Sequence, residues 1–81
     1  MNFHYVYILQ SISDAECFYT GVTGDLKQRL LKHNSGGVPH TAKYRPWKIK
    51  TAIAFTDEEQ SRNFERYLKT ASGLAFAKKR L

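Results

Sequence analysis

Cysteine is nearly absent: Cys17 is the only one in 81 residues. With one thiol, neither an intrachain disulfide nor a cysteine-built zinc site can form. Proline is scarce too, and both copies, Pro39 and Pro46, fall in one stretch. Long apolar runs are missing, which leaves nothing to span a membrane, and no secretory signal pattern opens the chain. No membrane partner is expected, and the setting is taken as reducing and cytoplasmic, association with the nucleoid included. Acidic side chains are few. Seven Asp and Glu stand against thirteen Lys and Arg, a net charge of +6.

What is present suits one small domain over residues 1–81. A content of 42% hydrophobic and 14% aromatic residues predicts a folded globule. The charge is unevenly spread. Lys27, Arg29, Lys32, Lys43, Arg45, Lys48 and Lys50 crowd the middle of the chain with only Asp25 among them. Such a stretch is either a polyanion-facing surface or a solvated face that aids solubility.

Phe3 to Leu9, FHYVYIL, is apolar on both alternating faces, so it reads as a central strand. A polar link, SISDAE, leads to a second run, CFYTGV, which suits an antiparallel hairpin. Thr23 can cap a helix DLKQRLLKHN that stops at Asn34-Ser35-Gly36-Gly37. Leu26, Leu30 and His33 then share one face, with Arg29 at its edge and one turn from His33. Ser35 to Pro46 reads as a loop, and WKIKTAIAF as a third strand. Thr56 to Glu59 matches a capping box for a helix running to about Thr70 or Ala71. Phe64, Tyr67, Leu68 and Ala71 make its apolar stripe, with Glu65 on the flank. Ser72-Gly73 reads as a break before a short basic terminal helix. The order predicts an α+β fold, a small antiparallel sheet with helices packed against it.

Tyr5-Val6-Tyr7, eleven residues, then Tyr19-Thr20-Gly21 resembles the signature of the GIY-YIG nucleases. Arg29, His33 and Glu65 follow in the order that family uses. The chain departs at Tyr5, Val6 and Thr20, where Gly, Ile and Ile are usual. Val22 stands where some members have Lys, so no lysine role is carried over. The similarity covers nearly the whole chain and is greatest to compact stand-alone members. It implies a three-stranded antiparallel sheet flanked by helices and a divalent-metal-dependent endonuclease.

The resemblance also implies roles. Tyr19 matches the tyrosine that activates water. Tyr7 matches a second hydroxyl, for positioning or for structure. Arg29 can bind phosphate oxygens through two parallel hydrogen bonds. His33 can orient water or act as an acid-base group. Glu65 matches the single protein ligand of a divalent ion, Mg²⁺ or Mn²⁺. It also has a plain alternative, the i,i+4 pair with Lys69. Lys32, His40, Lys43, Arg45 and Lys48 are candidates to contact a nucleic-acid backbone. Trp47 is expected in packing rather than base stacking. DNA is the expected substrate, with RNA left open, in repair, recombination or foreign-DNA handling. So small a domain carries little sequence readout, so it is expected to recognise a structure, dimerise or use a partner protein. Two other readings stand beside this one: a nucleic-acid-binding module of the same fold with little or no cleavage, and an adaptor that holds an acidic protein.

Overall fold

The apolar middle of the first strand is explained by where it lies. In a computed structural model that describes residues 2–81, β1 (His4–Ser11) sits between β2 (Phe18–Thr23) and β3 (Trp47–Phe55). Both pairings are antiparallel, and the three strands make the whole sheet. Four helices accompany it: α1 (Leu26–Asn34), α2 (Pro39–Ala42), α3 (Glu58–Leu68) and α4 (Ala71–Arg80). The α+β architecture is the one the pattern predicts.

Side chains alternate along a strand, so β1 feeds two cores. Val6 and Ile8 pack with Leu68 of α3, and with Phe55, Phe64 and Ala77 around them. Tyr7 and Leu9 turn to the opposite face and meet Trp47, with Leu26 and Leu30 of α1 closing over them. Fully buried leucines such as Leu9 and Leu68 each contribute about 1.5–3 kcal/mol. A bulge in β3 protects this division. Ile8 pairs with Thr51 and Leu9 with Ile49, so Lys50 is left between them. Without that extra residue the lysine would face Leu9 and the sheet would present a charge to the α1 side.

Four local expectations are corrected. The N-cap of α1 is Asp25, whose carboxylate accepts from Gln28 N at 3.1 Å, while Thr23 Oγ1 accepts from Asp25 N in the preceding turn. The N-cap of α3 is Asp57, accepting from Glu59 N, not Thr56. In both places a charged acceptor stands close by and meets the positive end of the helix better than a hydroxyl. Part of the presumed loop at 35–46 is helical, because Pro39 stands at a position where a first turn needs no N–H. Ser72 and Gly73 do not break the chain. They form the first turn of α4, capped by Thr70 Oγ1, which accepts from Gly73 N at 3.1 Å. Gly73 is required by proximity: a Cβ there would run into the backbone carbonyl of Tyr67. Among the described residues, no helix is long and apolar enough to cross a membrane.

Gly73→Ala should therefore lower stability by about 1–3 kcal/mol despite alanine's better helix propensity, because backbone cannot give way as a flexible side chain can. Gly24→Ala, where an added Cβ meets nothing within 4 Å, should stay within roughly 0.5 kcal/mol of the parent. Urea unfolding midpoints measure both.

Candidate active site

Tyr7 enters the site because β1 turns it away from Val6 and Ile8, towards α1. Its cross-strand partner is Gly21. A Cβ on Gly21 would stand 2.5 Å from the Tyr7 hydroxyl and 2.7 Å from Cζ, so the glycine makes room for the phenol to lie across β2. The result is a tyrosine only 2% exposed.

A buried hydroxyl needs a partner, and α1 supplies it. His33 points inward and is fully buried. Tyr7 Oη lies 3.0 Å from His33 Nε2, and His33 Nδ1 lies 2.8 Å from Thr41 Oγ1. Thr41, itself buried on α2, donates to the Val38 carbonyl at 3.2 Å and receives Trp47 Nε1–H on its own carbonyl at 2.8 Å. Asn34 adds a second tie to β3, accepting from Trp47 N at 2.6 Å and donating to the Trp47 carbonyl at 3.1 Å. Half-buried Tyr19 completes the aromatic group, with its ring centroid 4.9 Å from that of His33 and 6.4 Å from that of Tyr7.

The electrostatics follow from this burial. Burial holds the His33 pKa below 6.5, and the positive charges of Arg29 and Lys32 push the same way. The imidazole is neutral at pH 7. The Tyr7 phenol is pushed up to about 12, first by burial, then by the neighbouring Tyr19; Arg29 opposes this and Glu65 adds to it. Tyr7 therefore keeps its proton at neutral pH. The same balance brings Arg29 and Glu65 within electrostatic reach of that hydroxyl. Arg29 lines a narrow slot with Tyr7, Leu9, Leu26, Leu30 and Ile49, and also opens onto a surface depression with Gln28 and Lys32. The Glu65 side chain is 15% exposed and bonded to Lys69 Nζ at 2.6 Å, the i,i+4 pair that the spacing allows.

Tyr7, Tyr19, Arg29, His33 and Glu65 thus come from four elements: Tyr19 and His33 pack on Tyr7, Arg29 lines its slot, and Glu65 is within electrostatic reach of its hydroxyl. The basic candidates do not converge there as a group. Lys32 is exposed on α1 beside the Arg29 depression, and His40 is exposed on α2. Exposed Lys43 lies over the Tyr44 ring at 5.5 Å, and the Arg45 side chain runs beside Gly36, whose φ of +83° suits glycine. Lys48 is exposed on β3, and Trp47 is 4% exposed, a packing residue. Sequence reasoning missed Thr41. A threonine between Gly37 and Pro46 reads as loop, and no periodicity marks it as buried.

A match to the GIY-YIG catalytic domain spans residues 3–79. The chain belongs to the GIY-YIG family, and its function is of the nuclease type. Within that class it is similar to UPF0213 proteins. It is 34% identical over 70 residues to one from Lactococcus lactis subsp. cremoris (strain SK11), covering 85% of this chain and 69% of that protein. It is 36% identical over 70 residues to UPF0213 protein BH0048 of Halalkalibacterium halodurans, covering 85% and 72%. The solution NMR structure of UPF0213 protein BH0048 from Bacillus halodurans superposes with a TM-score of 0.57 at 33% identity, over 98% of this chain and 84% of that one.

A neutral buried His33 predicts acid sensitivity. Its contribution is complete above pH 6.5 and is lost as pH falls through that value towards the lowered native pKa, because the unfolded chain takes up the proton first. His33→Gln should flatten the decline of unfolding free energy below pH 6.5, read from urea titrations at a series of pH values. Equal slopes in the two proteins would contradict the burial account.

Proposed function

We propose that this chain is a single-domain, divalent-metal-dependent endonuclease that hydrolyses phosphodiester bonds in DNA inside the cell. It selects a DNA structure rather than a sequence and serves repair or recombination. One observation carries the reading: a buried, protonated Tyr7 hydroxyl has Tyr19, Arg29 and Glu65 within electrostatic reach and His33 as its hydrogen-bond partner.

Phosphodiester hydrolysis needs a proton acceptor for water, a counter-charge for the phosphate, and help for the leaving oxygen. Tyr19, more open than Tyr7, first gives its own proton to solvent and, as the phenolate, takes the proton of the attacking water. The Arg29 guanidinium binds two phosphate oxygens and offsets the charge that gathers on them. Tyr7, whose pKa burial pushes up to about 12, keeps its proton and orients groups through its oxygen. His33 acts through Tyr7 and not on the substrate, since both its nitrogens are engaged.

The donor set fits one kind of metal. Among the described residues no three His, Cys, Asp or Glu side chains gather into a cage. Glu65 is a lone, largely buried carboxylate already receiving a cation, the Lys69 ammonium. Mg²⁺, or Mn²⁺ in its place, suits a single carboxylate because it keeps several waters and takes phosphate oxygens. When bound there, the ion supplies Lewis-acid stabilisation to the departing oxygen.

Lys32 and Arg29 share a depression, which supports a backbone path along α1. His40, Lys43 and Arg45 extend the basic surface, and a second copy or a partner protein supplies further specificity. The Lys69 contact favours one competing reading, a binding module that does not cut, because Glu65 must release Lys69 before it can hold an ion.

Purified protein incubated with flapped, branched and plain duplex DNA, and with matching RNA, tests the proposal. Cleavage of the branched forms should require Mg²⁺, stop in EDTA and be lost in Glu65→Gln. Arg29→Ala should fall about a hundredfold or more, and Tyr19→Phe about tenfold or more. Cleavage that survives both EDTA and Glu65→Gln removes the metal reading. Salt-sensitive binding without products in every condition establishes the module instead.

A further inference from the structure

Thr41 lies outside the family signature, yet it ends the buried chain that starts at Tyr7. The directions of that chain can be worked out from each end. At the Tyr7 end, Arg29 lines the same slot as the phenol and its positive charge acts on it. A phenol hydrogen turned away from that charge goes to His33 Nε2, 3.0 Å away. At the other end, the Thr41 hydroxyl hydrogen has the Val38 carbonyl in reach at 3.2 Å, an oxygen that also receives the Thr41 and Ala42 backbone N–H groups. With its hydrogen there, Thr41 Oγ1 accepts from His33 Nδ1, at 2.8 Å. A neutral imidazole has one N–H and one bare nitrogen. Both ends favour the same arrangement, with Nδ1 protonated and Nε2 bare.

We propose that Thr41 is a positioning residue for the cleavage reaction: its hydroxyl holds His33 in the Nδ1–H tautomer, so that Nε2 claims the Tyr7 hydrogen and turns the Tyr7 lone pairs towards the reacting groups. In the opposite tautomer His33 would donate to Tyr7. The phenol hydrogen would then point into the site, where it would compete for Tyr19 and repel the donors of Arg29. The partner of one ring nitrogen sets the state of the other, and Thr41 is that partner. The functional half of this inference rests on the nuclease reading above; the structural half does not.

Two measurements decide it. Proton–nitrogen correlation spectra of the His33 ring in isotope-labelled protein report which nitrogen carries the hydrogen. The wild type should show Nδ1–H, and Thr41→Val, which keeps the shape and removes the acceptor, should shift the ring towards Nε2–H. Thr41→Ser should keep the wild-type tautomer. The Trp47 indole bonds to the Thr41 backbone carbonyl, so its N–H resonance should persist in both variants and serves as the check on folding. In cleavage assays Thr41→Val should lose about tenfold or more in kcat with KM unchanged, and Thr41→Ser should recover it. Nε2–H in the wild type overturns the proposal, as does Thr41→Val that keeps Nδ1–H, whatever its rate. If Thr41→Val fails to fold, the wild-type and Thr41→Ser spectra decide. If the wild type cuts no substrate, the nuclease reading fails by itself and the tautomer still tests Thr41.

Discussion

The hydrogen bond between Tyr7 Oη and His33 Nε2 joins the central strand to α1, and the site is arranged around it. Burying a phenol and an imidazole is costly unless each finds a partner, and here each does. No buried side-chain nitrogen or oxygen among the described residues is left without one. The chain of contacts continues through Thr41 to Trp47, so the strand, α1, α2 and the start of β3 are fastened in one polar line through an apolar core. Losing one member would leave its neighbour unpaired, at a cost of about 1–3 kcal/mol. The same line places the Tyr7 oxygen where Arg29 and Glu65 act on it.

Charge is divided between interior and rim. Inside, Tyr7 and His33 are both held neutral by burial, one by a raised and the other by a lowered pKa. Arg29 and Glu65, of opposite sign, are half-buried beside them. The neutral groups sit inside, and one charge of each sign sits at the edge. The Glu65–Lys69 pair belongs to the same logic. A carboxylate only 15% exposed is neutralised by a flexible ammonium that is itself 55% exposed and can swing away. The ammonium end of the pair lies in solvent, which leaves the cation exchangeable.

Much of this was legible along the chain. The two-faced apolar run of β1 required cover on both sides, and it became the middle strand. Leu26, Leu30 and His33 fell on one helical face because helix periodicity is a local property, and that face met the sheet. Spacing and resemblance single out the tyrosines, Arg29, His33 and Glu65; of these, Tyr7, Tyr19 and His33 pack together, and Arg29 lines the Tyr7 slot. The caps were misassigned by one or two residues, since Thr23 and Asp25, or Thr56 and Asp57, are chemically close competitors for the same N–H groups. The Ser72-Gly73 turn was misread as a break because its glycine answers to a carbonyl on another helix.

Sequence alone determined the strands, the main helices and the residue types able to handle a phosphodiester, because backbone periodicity and side-chain chemistry are carried by neighbours in the chain. Tertiary structure alone decided that Gly21 makes space for Tyr7, that Thr41 reaches His33, and that His33 is closed off from solvent. Those facts depend on distances between residues 8 to 26 positions apart, as the two His33 bonds illustrate. Burial and pKa follow the packing of whole elements, and no short window of sequence contains that packing.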